Sequence, residues 1–294
     1  MVRKPDVIFV GMPRSGTTWI SRVLNEHKDI FIPSNKEINF FNRKFYYLGN
    51  PKLANPNRKR GLKWYFDFFK SAGKDKVAID MSILTALDKS SARDIRKQIG
   101  DVKIVFCLRN PIDHIFSMYR LMYNEGEIKE KNFEEFVKNR KDLLEYSKYY
   151  NRLKAYFDEF PKKNVHIIYF DDLNSQKTFS KLQKFLKLKE IKFDLKKDKH
   201  ASWDLKYPLL KRGLKGISRI LNKMGLINVV RGFLNFTGLR RIADYVYNIN
   251  LKELDEKEKM SSETKEFLKE YYKKDLEMIK KKLKLNIPVE WIKK

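Results

Sequence analysis

Glycines, hydroxyl side chains and an arginine lie close together in the stretch VGMPRSGTTW, residues 10–19. Gly11 and Gly16 have the spacing of the phosphate-binding pattern G-x-x-x-x-G-K-[ST], but Thr17 stands where that pattern has its lysine. A curled glycine-containing backbone and the N-terminal N–H groups of a following helix can bind an anion. The guanidinium of Arg14 adds a permanent positive charge and several N–H donors in one plane, which suit phosphate-like oxygens. Further hydroxyl donors are available from Ser15, Thr17 and Thr18.

The missing lysine leaves two classes of ligand open. A nucleoside triphosphate site normally needs Mg²⁺, held by an acidic residue at the end of another strand, and Asp80 has such a position. An ATP-dependent kinase or NTPase is therefore one interpretation of the loop. A ligand with fewer charges would need neither the metal nor the lysine, which is the other interpretation.

A second cluster of candidate residues lies in CLRNPIDHIFSMYR. Arg109 follows an apolar run, and Ser117 lies eight residues later, after Pro111 has started a helix. Eight helical residues make about two turns, so Ser117 falls near the face that Pro111 and Arg109 share. The pair suggests a second phosphate site, separate from the loop. The alternative is that Arg109 is a surface ion-pair partner and Ser117 an ordinary helical residue.

A third candidate is the adjacent pair Lys36 and Glu37 in PSNKEINFFN, just before Phe40 and Phe41. A carboxylate can act as a general base if desolvation raises its pKa toward neutrality. The alternative is an ion pair in a solvated loop, which contributes little.

Alternating strand and helix patterns must position these residues. Apolar, β-branched runs predict strands at residues 6–11, 77–80, 102–108 and 165–170. Helical spacing predicts helices at residues 17–27, 90–99, 111–123, 133–144, 147–160 and 262–285. The alternation predicts an α/β fold, with a central parallel sheet flanked by helices and ligands at the carboxyl ends of the strands. Such ends carry Gly11, Asp80, Arg109 and Asp171.

The composition is that of a globular chain of 294 residues, which we expect to form a single domain, residues 1–294. The 64 basic and 37 acidic residues give a formal charge of +27, which favours anionic ligands without choosing among them. The single cysteine, Cys107, lies in an apolar run and reads as a buried thiol. The four histidines have no metal-ligand spacing, and we expect no metal. The short apolar N-terminal run reads as a strand rather than a signal peptide, which predicts a cytoplasmic protein.

Residues 206–243 contain no acidic residue and nine basic ones. Amphipathic spacing predicts one or two helices that pack onto the sheet domain with a basic outer face. The alternatives are a surface that faces an acidic acceptor, or a peripheral membrane contact. A non-enzymatic module that binds acidic polymers or membranes is thus a further hypothesis, whereas we expect no nucleic-acid partner.

Taken together, the three clusters resemble the sulfotransferases that use 3′-phosphoadenosine 5′-phosphosulfate (PAPS), especially the heparan-sulfate type and its prokaryotic relatives. Members carry P-[KR]-[ST]-G-T-T after the first strand, here PRSGTT at 13–18. They also carry K-E-x-x-F-F, here KEINFF at 36–41, and R-[ND]-P with a serine eight residues after the arginine, here RNP at 109–111. The later YFDDL at 169–173 and the closing helix with its tryptophan are similar too.

The resemblance implies a single-domain, P-loop nucleotide-kinase-like fold and the following roles, without a metal. The 5′-phosphosulfate of PAPS would be held by Arg14, Ser15, Gly16, Thr17, Thr18 and Trp19. The 3′-phosphate would be held by Arg109 and Ser117. Glu37 would be the general base, with Lys36 and Arg14 stabilising charge. The acceptor would be a hydroxyl or amine, most simply of a carbohydrate, with protein tyrosine or a lipid as alternatives.

Two departures from the family pattern bear on these roles. Many cytosolic members have lysine at the position of Arg14, although tyrosylprotein sulfotransferases resemble this chain in having arginine there. Glycan-type members often have E-K-[ST]-P after the second strand. This chain has Asp80, Met81 and Ser82 there, without the lysine, which weakens the expectation of a heparan-like acceptor.

Overall fold

The computed structural model describes residues 2–44, 54–195, 203–205, 251–253 and 260–292. The strands are β1 (Val7–Gly11), β2 (Ile30–Phe31), β3 (Val77–Asp80), β4 (Lys103–Leu108), β5 (Val165–Tyr169), β6 (Trp203–Leu205) and β7 (Leu251–Glu253). The helices are α1 (Thr17–Leu24), α2 (Gly61–Asp67), α3 (Ser90–Gln98), α4 (Pro111–Asn124), α5 (Phe133–Asn139), α6 (Lys141–Leu144), α7 (Tyr150–Glu159), α8 (Gln176–Leu186) and α9 (Ser262–Leu283). Short 3₁₀ turns connect several of them.

A five-stranded parallel sheet confirms the predicted fold class. Its strand order is β2-β3-β1-β4-β5, and all four predicted strands are present. The two-residue β2 at its edge was not predicted, since so short a run carries no periodicity. β6 and β7 form a separate antiparallel pair.

Both faces of the sheet are buried, which is why its strands read as continuous apolar runs. On β1, Ile8 and Val10 belong to one hydrophobic core, and Val7 and Phe9 to the other. The first core includes residues of α3, α7 and α9, and the second includes residues of α1 and α8. Cys107 is buried in the second core, as predicted.

The strand order creates a crevice between β1 and β4. The chain leaves β1 toward β2 on one side of the sheet, and leaves β4 toward β5 on the other side. Connections that diverge in this way open a cleft at the carboxyl ends of the two strands, where ligands of open α/β sheets bind. The loop that starts at Gly11 and the segment that starts at Arg109 lie at those two ends.

The chain divides into two compact units. One comprises Met1–Ile115, Arg140–Lys199 and Glu263–Lys294, and contains the parallel sheet. The other comprises Phe116–Asn139 and His200–Ser262, and contains the β6–β7 pair. The prediction of a single domain over residues 1–294 stays a prediction, and the basic segment 206–243 lies outside the described residues. In the described part of the chain, no helix has the length and apolar character needed to cross a membrane.

All six predicted helices are present, but their bounds differ from the prediction: the helix expected at 17–27 ends at Leu24, and two others differ for reasons that the structure shows. The helix expected at 133–144 is two helices, because Arg140 has φ −118° and ψ 52° and interrupts it. The helix expected at 147–160 begins only at Tyr150. There the carboxylate of Asp275, on α9, accepts the backbone N–H groups of Tyr149 and Tyr150 at 2.7 and 3.2 Å. This contact from a distant helix fixes the start of α7, and local sequence does not encode it.

Candidate active site

The anion-binding loop leaves β1 at its junction with β4. The N–H of Met12 donates to the carbonyl of Cys107 at 2.7 Å, so the loop starts as a continuation of the strand pairing. Arg14 and Gly16 then take positive φ values of 62° and 76°. The carbonyl of Gly16 accepts the N–H of Ile20 at 3.0 Å, which begins α1. The loop is therefore a tight turn into a helix N-terminus, as the glycine spacing predicted.

The polar groups of this loop suit an anion. The Ser15 side chain is fully buried, and its Oγ has no hydrogen-bond partner among the described residues. The N-terminus of α1 has no side-chain cap, and its first turn has no acidic residue. Buried donors and helix N–H groups without partners cost free energy that a bound anion recovers. Such unused donors are what a phosphate- or sulfate-bearing ligand requires.

Lys36 brings to the loop a lysine ammonium, which the loop's own sequence lacks. The Lys36 ammonium donates to Thr18 Oγ1 at 3.0 Å, across eighteen positions of sequence. Burial lowers the pKa of Lys36, and the neighbouring charge of Glu37 opposes that shift. The contact brings the lysine–glutamate pair next to the loop. The sequence suggested each of them separately.

The pKa of the Glu37 carboxyl is raised above its ordinary value. Desolvation by the surrounding protein causes the shift, although Glu37 is exposed and solvent therefore screens its charge. The positive charge of Lys36 and a hydrogen bond from Asn39 oppose the shift. A carboxylate whose pKa moves toward neutrality is a stronger proton acceptor.

Side chains from residues 55–58 hold the backbone that carries Glu37. Asn57 Nδ2 donates to the carbonyl of Ile38 at 2.9 Å, and Asn55 Nδ2 to that of Asn39 at 2.5 Å. Arg58 donates to the carbonyl of Phe41 at 3.1 Å. Sequence reasoning missed this contribution. The NPNR stretch has the Asn-Pro signal of a turn but nothing that names its partner.

Asp80 supports the same loop from the sheet. It is fully buried, and its carboxylate accepts hydrogen bonds from the hydroxyls of Ser82 and Tyr65. Ser82 Oγ in turn accepts the backbone N–H of Asn39 at 2.9 Å. Burial raises the pKa of Asp80 to about 6. Both carboxylate oxygens are thus engaged within the protein, and no group of three or more possible metal ligands occurs among the described residues.

Arg109 contacts the anion-binding loop directly. Its guanidinium lies over the ring of Phe170 at 4.4 Å and donates to the carbonyl of Arg14 at 3.3 Å. Its Nε is buried without a partner among the described residues, and burial lowers the pKa of the group. Arg109 therefore packs against the loop, which disfavours the surface ion-pair alternative. Ser117 is buried on α4, in the part of that helix that belongs to the other unit, and its predicted role beside Arg109 stays a prediction.

The YFDDL segment and the closing tryptophan meet beside the loop. Trp291 Nε1 donates to Asp171 Oδ2 at 2.8 Å, and its ring packs edge-on against Tyr169. Phe170 and Leu173 cover Gly16 so closely that a Cβ on Gly16 would lie 2.4 Å from Leu173 Cδ1. Glycine suits this position best, because its positive φ strains other residues and a Cβ would force the Leu173 side chain to move.

The family model for the sulfotransferase domain matches residues 4–204, about two thirds of the chain. The chain belongs to the sulfotransferase domain family. The predicted enzyme class, a sulfotransferase, is thereby confirmed, whereas the individual site residues stay predictions.

Curated relatives and a solved structure agree with this assignment. The chain is 27% identical over 149 residues to the membrane-associated sulfotransferase kil1 of Dictyostelium discoideum, covering 48% of this chain and 29% of that protein. It is 24% identical over 235 residues to the bifunctional heparan sulfate N-deacetylase/N-sulfotransferase of Drosophila melanogaster, covering 69% and 21%. The chain thus spans less than a third of the length of either relative. A sulfotransferase structure from Alicyclobacillus acidocaldarius shares the fold, with a TM-score of 0.55, 21% identity and coverage of 78% of this chain and 96% of that one.

Gly16→Ala should destabilise the protein. Gly16 has φ 76° and ψ 9°, so alanine there incurs the left-handed backbone cost of about 1–2 kcal/mol. The new Cβ would also lie 2.4 Å from Leu173 Cδ1, so the Leu173 side chain would have to move. Denaturant unfolding of wild type and variant measures the loss. An unchanged free energy of unfolding would contradict the left-handed conformation of Gly16 and the close packing of Leu173 on the loop.

The buried Asp80 should make stability depend on pH. Its folded-state pKa of about 6 lies above the ordinary 3.8, so the folded protein holds this proton more tightly than the unfolded chain. Relative to Asp80→Asn, the free energy of unfolding should therefore fall as pH rises from about 4 to about 6, by up to about 3 kcal/mol. Urea unfolding at a series of pH values tests this. Parallel pH profiles for the two proteins would show that Asp80 does not titrate there.

Proposed function

We propose that the protein transfers a sulfuryl group from PAPS to a hydroxyl or amine of an acceptor, with Glu37 as general base. One observation supports this most: the Lys36 ammonium lies on Thr18 of the anion-binding loop. Because Glu37 is the next residue, the candidate base lies beside the candidate site for the transferred group. Membership in the sulfotransferase family supplies the reaction class.

The donor would be bound through its two anionic ends. The loop would bind the 5′-phosphosulfate, and the residues involved are Arg14, Ser15, Gly16, Thr17, Thr18 and Trp19. The buried hydroxyl of Ser15 and the uncapped N-terminus of α1 fit such a group. Arg109 and Ser117 would bind the 3′-phosphate, and the unpartnered Nε of Arg109 fits that role. The product nucleotide, adenosine 3′,5′-bisphosphate (PAP), would bind to the same residues.

The transfer needs little covalent participation by the protein. Glu37 accepts the proton of the acceptor hydroxyl while the acceptor oxygen forms its bond to sulfur and the bond from sulfur to the bridging oxygen of PAPS breaks. The electron pair of that bond leaves with PAP. Lys36 and Arg14 stabilise the negative charge that grows on the leaving and peripheral oxygens. By analogy with phosphoryl transfer, positioning and electrostatics would supply most of the rate enhancement.

A carbohydrate is the acceptor that we propose. The Drosophila relative is named for heparan sulfate, and the charge of +27 favours an acidic acceptor. The basic segment 206–243, which could face such an acceptor or a membrane, lies outside the described residues. Protein tyrosine and lipid remain alternative acceptors. Both oxygens of Asp80 accept hydrogen bonds within the protein, which disfavours Asp80 as the metal ligand that the kinase alternative needs.

Metal-free PAP should stabilise the protein against heating. At about 100 times its Kd, a ligand that binds only the folded state adds about 2.7 kcal/mol. Thermal unfolding with PAP and EDTA, compared with ATP and Mg²⁺, tests the donor assignment. Stabilisation only by ATP with Mg²⁺ would favour a kinase or NTPase instead. No effect of either nucleotide, together with salt-sensitive binding to anionic vesicles, would favour the non-enzymatic module.

Glu37→Gln should lower turnover by about 10²–10⁴-fold, because positioned general-base catalysis typically contributes that factor. The amide keeps the size of the side chain but cannot accept the proton, so PAP affinity should stay unchanged. Sulfate transfer from PAPS is measured over a panel of glycans, tyrosine peptides and lipids, and PAP binding by calorimetry. Glu290→Gln, which removes an exposed carboxylate in the C-terminal 3₁₀ turn, is the matched control. Unchanged turnover in Glu37→Gln would assign the base elsewhere.

A further inference from the structure

A buried histidine connects the anion-binding loop to residues 145–147. His114 lies on α4 and is fully buried, and its Nε2 is 2.9 Å from the carbonyl oxygen of Pro13. Its Nδ1 is 2.7 Å from Ser147 Oγ. A carbonyl oxygen can only accept, so Nε2 carries the proton and donates to Pro13. Nδ1 then accepts from the Ser147 hydroxyl, which fixes both the tautomer and the orientation of the ring.

This chain of hydrogen bonds is stable at ordinary pH. Burial lowers the pKa of His114 to about 3, so the ring is neutral near pH 7 and its Nδ1 keeps a lone pair for Ser147. Ser147 is itself fully buried. The Pro13 carbonyl immediately precedes Arg14, one of the two loop residues with positive φ, so His114 bonds to the loop where its backbone turns.

Tyr149, two residues after Ser147, supports the other candidate phosphate site. Its hydroxyl donates to the backbone carbonyl of Arg109 at 2.9 Å, and its ring is fully buried and packs edge-on against His114. Residues 147–149 thus bond to both parts of the proposed donor site. Ser147 reaches the anion-binding loop through His114, and Tyr149 bonds directly to Arg109.

Helix α9 holds residues 147–149 in place. Asp275 accepts the backbone N–H groups of Tyr149 and Tyr150, and the hydroxyl of Tyr272 donates to the carbonyl of Leu144 at 3.0 Å. These bonds join the segment to a 22-residue helix instead of leaving it as a free loop. The position of residues 147–149 is thereby fixed by a helix that lies outside the proposed donor site.

We propose that Ser147 and Tyr149 are positioning residues that set the spacing between the two phosphate-binding parts of the donor site. The inference rests on the proposed function, because it takes the loop and Arg109 as the sites of the 5′ and 3′ groups. A nucleotide with phosphates at both ends binds tightly only if both sites are already at the correct separation, since ordering them on binding costs affinity. Ser147 controls the loop side of that spacing, and Tyr149 controls the Arg109 side.

The two residues should affect different ends of the nucleotide. Ser147→Ala should weaken binding of PAP and of adenosine 5′-monophosphate by about tenfold, the effect of one buried hydrogen bond, and leave adenosine 3′-monophosphate unchanged. Tyr149→Phe should weaken PAP and adenosine 3′-monophosphate by a similar factor and leave adenosine 5′-monophosphate unchanged. Calorimetry with the three nucleotides on the full chain gives these values. A role in general folding would not produce this division between the ligands.

Two further variants make the test specific. Ser147→Cys keeps nearly the same volume and a weaker donor, so its affinity for PAP should lie between those of wild type and Ser147→Ala. Tyr156→Phe is the control for Tyr149→Phe, because the Tyr156 hydroxyl is fully buried but has no hydrogen-bond partner among the described residues. It should leave all three affinities unchanged. Thermal unfolding of each variant shows that it is folded at the temperature of measurement.

The outcomes separate this inference from the proposed function. In one outcome, wild type binds PAP, but the Ser147 and Tyr149 variants lose affinity for all three nucleotides equally or for none of them. The positioning role is then wrong, and the donor assignment stands. If wild type binds no PAP, the proposed function is wrong and this inference falls with it. Loss confined to the end that each residue supports, with intermediate binding by Ser147→Cys, supports the inference.

Discussion

The pairing of β1 with β4 is the constraint on which the site depends. After β1 the chain runs toward β2 on one side, and after β4 it runs toward β5 on the other side. The pairing of the two strands continues past the end of β1, where the N–H of Met12 donates to the carbonyl of Cys107. Hydrogen bonds of the central sheet therefore bring the anion-binding loop and Arg109 together. Once they are adjacent, Arg109 can donate to the carbonyl of Arg14, and Phe170, which directly follows the neighbouring β5, can pack under its guanidinium.

Sequence predicts the parts of this site better than their connections. The strands and the glycine loop follow from local rules, since a doubly buried strand must be apolar and a left-handed turn needs a residue such as Gly16. The connections join residues that are far apart in sequence. Lys36 contacts Thr18, side chains of residues 55–58 bond to the backbone near Glu37, and Asp275 caps α7. No local pattern encodes such contacts. The error at 147–160 arose in this way, because a helical pattern cannot show that Asp275 fixes where α7 begins.

Burial acts on the two charges of the lysine–glutamate pair in opposite senses. Desolvation disfavours the charged form of each group, so it lowers the pKa of Lys36 and raises that of Glu37. Their mutual attraction opposes both shifts. A bound anion near Lys36 would favour the ammonium, whereas loss of the anion would favour the neutral amine. The charge state of Lys36 is thus coupled to what the loop holds.

The same coupling explains why a lysine at position 36 is not equivalent to one at position 17. A lysine within the loop would bind phosphate independently of the rest of the site. Lys36 instead belongs to the loop of the candidate base, whose backbone is held by Asn55, Asn57 and the chain from Asp80 through Ser82. Because Lys36 and Glu37 are adjacent, a backbone movement that withdraws the ammonium from Thr18 also displaces the carboxylate. Under the proposed function, donor binding and alignment of the base would therefore both depend on this loop.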